Sequence, residues 1–119
     1  MAATLEHDGG NIYRIVISGR LDGPDLEGLE RRAAAEIRRA GPIRLLITLD
    51  AFTGWEESAN WRDLGFFVRY GDDIERIAIV GDERWRAEVL MFAGAGLRKA
   101  PVEFFSAPEA QRAAEWIGR

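Results

Sequence analysis

The sequence predicts an α/β fold: an open sheet of mainly parallel strands with an antiparallel strand at one edge. Three observations predict it. Short apolar runs alternate with amphipathic helical stretches, which calls for parallel strands joined by crossover helices. The first two runs are separated only by Asp8-Gly9-Gly10-Asn11, so they pair as a hairpin. The 119 residues contain no internal repeat, charge block or Pro/Gly/Ser-rich linker, so residues 1–119 read as one domain.

The elements follow in order. Thr4 to His7 and Ile12 to Ser18 are the hairpin strands, the second with Tyr13, Ile15 and Ile17 on one face and Ile12 and Val16 on the other. A helix from about Pro24 to Ala40 carries Leu26, Leu29, Ala33, Ile37 and Ala40 at helical spacing, with Glu27, Glu30, Arg31, Arg38 and Arg39 on the wet side. Asp22 is its expected N-cap and Gly41-Pro42 its stop. Ile43 to Leu49 is nearly all apolar, as in a central strand covered on both faces. Asp50 to Gly54 reads as a loop and the following stretch to about Tyr70 as a helix, with Thr53 and Glu56 forming a T-x-x-E capping box and Ser58 offering a later start. Ile77 to Val80 is the next strand, Gly81-Asp82 leads into a helix bearing Trp85, Val89, Phe92 and Leu97, and Gly94 and Gly96 weaken its end. Val102 to Phe105 completes the sheet. Ser106-Ala107-Pro108-Glu109 is an S-x-x-E box opening a last helix with Ala110, Ala113 and Ile117 on one stripe. The order is ββαβαβαβα.

Composition narrows the chemistry. Hydrophobic residues at 47% and charged residues at 30% fit a globular chain, and the absence of cysteine removes disulfides, thiolate metal sites and thiol nucleophiles. A net charge of −4 is the wrong sign for a general nucleic-acid binder. Met1 to Glu6 lacks a basic and apolar leader, and no apolar run reaches the ~18 residues of a membrane span, so a cytoplasmic location without membrane insertion is expected.

Polar residues at the carboxyl ends of the strands are the first places to look for a site in such a sheet. Asp22, Asp50, Thr53, Asp82 and Ser106 occupy them. Asp50 and Asp82 together offer a metal or acid/base pair, but Asp, Thr and Ser are also the residues that satisfy the free amides of a following helix, and they stand at every strand exit. His7 is the sole histidine, without a nucleophile elbow, and reads as an edge-strand surface residue. The glycines make neither G-x-G-x-x-G nor a phosphate-binding P-loop. Consecutive Glu56 and Glu57 point in different directions on a helix and read as first-turn charges. No metal, cofactor or catalytic residue is expected.

The aromatic residues are more informative. Seven of twelve lie in one stretch, namely Phe52, Trp55, Trp61, Phe66, Phe67, Tyr70 and Trp85, and Phe92 follows a helix-length on. One helix cannot turn all of them inward, since Trp61, Leu64 and Val68 follow one stripe and Phe66 and Tyr70 another. These rings line an apolar pocket, form a subunit interface, or complete the core.

Several strings together resemble the SpoIIAA-like family, a STAS/SEC14-related branch of small bacterial α/β proteins. They are Ile15-Val16-Ile17-Ser18-Gly19, Ile43 to Asp50 with its loop, Ile77-Ala78-Ile79-Val80-Gly81-Asp82 leading to Trp85, and Val102-Glu103-Phe104-Phe105 with Ala113, Ala114, Glu115, Trp116 and Ile117. The resemblance implies a sheet of βα units wound as a superhelix and a non-enzymatic regulatory or ligand-binding role. In anti-sigma-factor antagonists of this fold, a serine in a D-S-[ST]-G string after the third strand is phosphorylated to break a complex with a kinase partner. The corresponding stretch is Asp50-Ala51-Phe52-Thr53-Gly54, where only Thr53 stands in for the serine, and a phosphate there would be repelled by Glu56 and Glu57. The SEC14-related side of the resemblance implies a lipophilic ligand. The expected site is the surface of Phe52, Trp55, Trp61, Phe66, Phe67, Tyr70, Trp85 and Phe92, holding an apolar ligand or a regulatory protein partner, with a homodimer as the expected assembly.

Overall fold

A computed structural model describes residues 3–55, 71–96 and 99–119. Five strands, β1 (Ala3–His7), β2 (Ile12–Leu21), β3 (Ile43–Trp55), β4 (Ile74–Gly81) and β5 (Val102–Ser106), lie in the sheet in the order of the chain. The β1–β2 pair is antiparallel and every other pair is parallel. Helices α1 (Gly23–Ala40), α2 (Arg86–Phe92) and α3 (Ala110–Ile117) follow β2, β4 and β5. The helix expected between Gly54 and Tyr70 lies outside the described residues, as do Leu97, Glu56 and Ser58.

Period-two alternation divides the apolar side chains between two cores. Tyr13, Ile15 and Ile17 of β2, Leu45 of β3, Ile77 and Ile79 of β4 and Phe104 of β5 face α1 and α2. Their neighbours Leu46, Ala78, Val80 and Phe105 face the opposite way, against Ala113 and Ile117 of α3. The helix ends use the residues that local chemistry assigns to them. Asp22 accepts the Asp25 N–H at 2.8 Å, and Gly41 (φ 93°) ends α1 with its N–H on Ile37 O. Glu109 Oε1 accepts from Ser106 Oγ at 2.9 Å and from its backbone N–H at 3.3 Å, one arm of the expected capping box. Ala40 and Ala110, read as inward, are exposed because they stand at the ends of α1 and α3, beyond the turns that touch the sheet.

Three strands run several residues beyond expectation: β2, which continues past Ser18 to Leu21, and β3 and β4, in each of which a bulge breaks the alternation. In β4 the register passes from Ile43↔Ile74 to Arg44↔Arg76, so Glu75 is the extra residue and Ile74 and Ile77 both enter the same core. In β3 the stretch Asp50–Gly54 is not a loop. Pairing with β2 runs through Ser18↔Asp50 and resumes at Arg20↔Gly54, leaving Ala51, Phe52 and Thr53 opposite Gly19. Ala51 sits at φ 51°, a left-handed value rare for a residue with a Cβ, which is why the sequence reads there as a break. Thr53 is consequently an exposed strand residue rather than the start of a helix.

The Glu75 bulge anchors the end of α3. Glu75 Oε1 receives Asn11 Nδ2 at 2.8 Å and Arg44 Nε at 3.1 Å. Arg44 also donates to Ile117 O, and Arg76 to Trp116 O, both at 2.9 Å, satisfying carbonyls that the helix leaves open. Hydrogen bonds from Arg44 and then Asn11 hold the Glu75 carboxyl below the usual glutamate range. Its contribution to stability is present above the unfolded pKa and is lost as pH falls through the folded one. We expect Arg44→Ala to raise the Glu75 titration midpoint toward the ordinary glutamate value. Carboxyl-carbon NMR across pH 2–6 checks this, and an unmoved midpoint refutes the pairing.

Candidate functional site

The bulge in β3 determines where its aromatic residues go. The additional residues between Asp50 and Gly54 turn Phe52 into the core, where it is 8% exposed, between the neighbouring exposed Ala51 and Thr53. Trp85 reaches the same spot from the far side of β4. Asp82 accepts the Arg84 N–H at 3.0 Å and opens a 3₁₀ turn, Glu83–Trp85, which directs the indole back over the sheet. The Trp85 Nε1–H donates to Phe52 O at 3.1 Å, so the irregular backbone of β3 and the ring of Trp85 fix each other. Gly54 (φ 115°) completes the fit, since a Cβ there would stand 3.4 Å from Trp85 Cη2.

Trp55 and Phe92 extend this pair toward solvent. Trp55 meets Phe52 edge-on at 5.1 Å and Trp85 at 6.0 Å between ring centroids, and Phe92, at the end of α2, lies 5.4 Å from Trp55. Phe52 and Trp85 are edge-to-face at 5.0 Å. Four of the eight aromatic residues read from the sequence are thus brought together, two buried and two half-buried. Trp61, Phe66, Phe67 and Tyr70 lie outside the described residues.

Beside the cluster is a half-enclosed hollow of about 100 Å³ between α1 and the sheet. Ile17 and Leu21 of β2, Leu29 and Ala33 of α1, Ile47 of β3, Ile77 of β4 and Phe92 of α2 are among its walls, and among the described residues Glu30 is the charged one on its border. Phe92 joins the hollow to the ring cluster. Alternation identified most of these aliphatic residues as inward, but only as packing. The one local signal of a hollow is the small Ala33 in the middle of the buried stripe of α1.

The polar candidates are placed separately. Asp82 is engaged as a cap, Asp50 is exposed at the bulge, and Ser106 is held by Glu109. His7 is an exposed edge-strand residue whose Nε2–H donates to Gly10 O at 2.7 Å, closing the hairpin turn. Among the described residues no three His, Cys, Asp or Glu side chains gather as a metal site, and no helix is long and apolar enough to cross a membrane.

With this geometry in view, a family model described as SpoIIAA-like matches residues 12–118. The chain belongs to the SpoIIAA-like family. Its fold is similar to that of an uncharacterized SpoIIAA-like protein from Shewanella loihica PV-4, with TM-score 0.68 and 23% identity over 98% of this chain and 92% of that one. It is similar also to the anti-sigma factor antagonist SpoIIAA in its unphosphorylated form, with TM-score 0.64 and 14% identity over 97% and 98% of the two chains. The phosphorylated form of the Bacillus cell fate determinant SpoIIAA gives TM-score 0.61 and 16% identity over 97% and 99%. No curated protein sequence matches the chain. At these identities the likeness is one of fold. Within the SpoIIAA-like fold, this chain sets its bulged β3 end and the aromatic cluster beside the hollow under α1.

Proposed function

We propose that this chain is a non-enzymatic, cytoplasmic binding module that takes an apolar small molecule in the hollow between α1 and the sheet, which Phe92 joins to the Phe52, Trp55 and Trp85 cluster. The observation that carries this reading is the apolar wall itself, about 100 Å³ of space framed by aliphatic side chains. An unfilled hollow of that size costs a folded chain about 2 kcal/mol, which a ligand regains by filling it. The volume suits a single ring or a short branched chain better than a whole lipid tail.

Ala33→Leu tests the reading by filling the hollow from its own wall. With ethylbenzene as probe, calorimetry or ligand-observed NMR should show binding to the parent chain and at least a tenfold loss in Ala33→Leu, accompanied by a higher melting temperature. A parent chain that does not bind, or a variant that binds equally well, overturns the proposal.

A second reading is a protein-interaction regulator docking through the end of β3. The exposure of Thr53 favours it, since that residue occupies the stretch matching the modified string of the antagonists. The same experiment separates the two, because a docking role survives Ala33→Leu and responds instead to Thr53→Asp.

A further inference from the structure

The outer side of β1 is a sheet edge whose backbone groups point outward at three residues. Asp8 N–H donates to Ile12 O at 2.9 Å across the hairpin. Because inward and outward residues alternate along an antiparallel pair, Thr4 and Glu6 then exchange hydrogen bonds with β2, while Ala3, Leu5 and His7 turn their N–H and C=O groups to the free side. Arg32 of α1 reports the same orientation, since its Nη2 donates to Leu5 O at 2.5 Å. Such an edge is a template for a further strand. Beside it, between β1 and α1, runs an open groove of about 330 Å³ lined by Leu5, His7, Tyr13, Arg32, Ala35 and Glu36. Its two charges are not equally engaged. Glu36 is held by Arg39 at 2.7 Å, whereas Arg32 is exposed, holds a backbone carbonyl and is paired with no carboxylate among the described residues. Ala35 is exposed and small, so the helix leaves the groove unfilled.

We propose that the β1 edge binds an extended acidic segment of a partner protein as an added antiparallel strand, with Arg32 selecting for the acidic residue. Directly paired residues of an antiparallel ladder send their side chains to the same face, so the partner residue opposite Leu5 projects beside Leu5, on the side where α1 and Arg32 stand. Its backbone N–H takes over Leu5 O, and its C=O accepts the Leu5 N–H. The guanidinium released from Leu5 O then meets that residue's carboxylate in a charge-assisted pair. Every group at the edge exchanges one partner for another, and none is left unpaired. Without a partner, the contact of Arg32 with Leu5 O closes the edge to uncharged strands. A second copy of this chain fits less well. In the register that uses Ala3, Leu5 and His7 of both copies the symmetry axis falls at Leu5, which brings the two like-charged Arg32 side chains together. Among the described residues the groove and the hollow under α1 share no wall, so binding at this edge does not depend on a ligand in the hollow.

The probe is an end-capped heptapeptide of alternating threonine and valine with glutamate at its centre, compared with versions carrying glutamine or lysine there and one methylated on the glutamate backbone nitrogen. In ¹⁵N-correlated NMR titrations of the full chain at low salt, the glutamate peptide should move the Leu5 and His7 amide protons downfield. It should bind about tenfold more tightly than the glutamine peptide, with the lysine peptide weaker still. Arg32→Ala should bring the glutamate and glutamine peptides within about twofold of each other, and Arg32→Glu should turn the preference toward lysine. Because Arg32 is exposed, both variants should melt close to the parent temperature. Methylation of the central nitrogen removes the N–H meant for Leu5 O and should abolish binding. Three results overturn the proposal: amides of Leu5 and His7 that do not respond to the glutamate peptide, a methylated peptide that binds as well as the unmethylated one, or a glutamate preference that survives Arg32→Ala. Sedimentation that finds the parent chain dimeric, with the Leu5 amide protected from hydrogen exchange in the dimer, assigns the edge to a second copy and overturns it too.

Discussion

Replacing Trp85 by alanine is expected to cost about 3–5 kcal/mol of stability, a fall in melting temperature of about 10–20 °C. The indole is 9% exposed, packs edge-to-face on Phe52 and lies against Gly54. Its removal therefore leaves a cavity that a bulged strand cannot close without re-registering. The same change releases Phe52 O from its donor, which adds the cost of an unpaired buried carbonyl. Trp85→Phe keeps a six-membered ring but loses the rest of the indole with its N–H, so its expected cost of about 1–3 kcal/mol combines the lost hydrogen bond with a smaller cavity. Urea denaturation measures both, and a midpoint shift at unchanged slope attributes the loss to the native state. A loss below about 1 kcal/mol for Trp85→Ala would show that the β3 bulge holds itself.

Gly81→Val is expected to destabilise by about 2–3 kcal/mol, from crowding rather than backbone strain. Gly81 has an ordinary strand φ, so any residue can adopt its conformation. What excludes a side chain is Leu49 on the adjacent β3, because a Cβ at position 81 would lie 2.9 Å from Leu49 Cδ1 and 3.0 Å from Leu49 Cβ. The first atom can swing away, but the second is fixed to the backbone. If that account is right, Leu49→Gly, which removes the Cβ itself, combined with Gly81→Val should be less destabilising than the sum of the two single changes, whereas Leu49→Ala, which keeps it, should relieve the crowding only in part. A double-mutant cycle by denaturation measures the coupling, and strict additivity refutes it.

Trp85 and Gly81 also show which parts of the molecule were legible in the sequence. The caps at Asp22, Asp82 and Ser106, the hairpin turn and the alternation of β2 follow from chemistry within a few residues, and each stands where local rules put it. The two bulges do not. Ala51 takes a left-handed conformation that its residue type argues against, and it is held there by pairing with β2 and by Trp85 donating to Phe52 O. Glu75 and Arg76 interrupt the apolar pattern ahead of Ile77, where the sequence reading starts the strand, although Arg44 and Asn11 hold Glu75 within it. The clustering of Phe52, Trp55, Trp85 and Phe92 was legible as a surplus of rings. The hollow was not, because Ile17, Leu29 and Ile47 look the same in sequence whether the space between them is filled or open. Only the distance between a helix and a sheet distinguishes the two.

The strands lie side by side in the order in which they are synthesised, so each emerging strand finds its neighbour already in place and no later segment has to thread between earlier ones. The two cores are nevertheless completed at different times. The face carrying Tyr13, Ile15 and Ile17 receives α1 before β3 is made, whereas Leu46, Ala78, Val80 and Phe105 wait for Ala113 and Ile117. A chain that ends before α3 therefore leaves Leu46, Ala78, Val80 and Phe105 without the partners that Ala113 and Ile117 supply, and chaperones should bind it in that form.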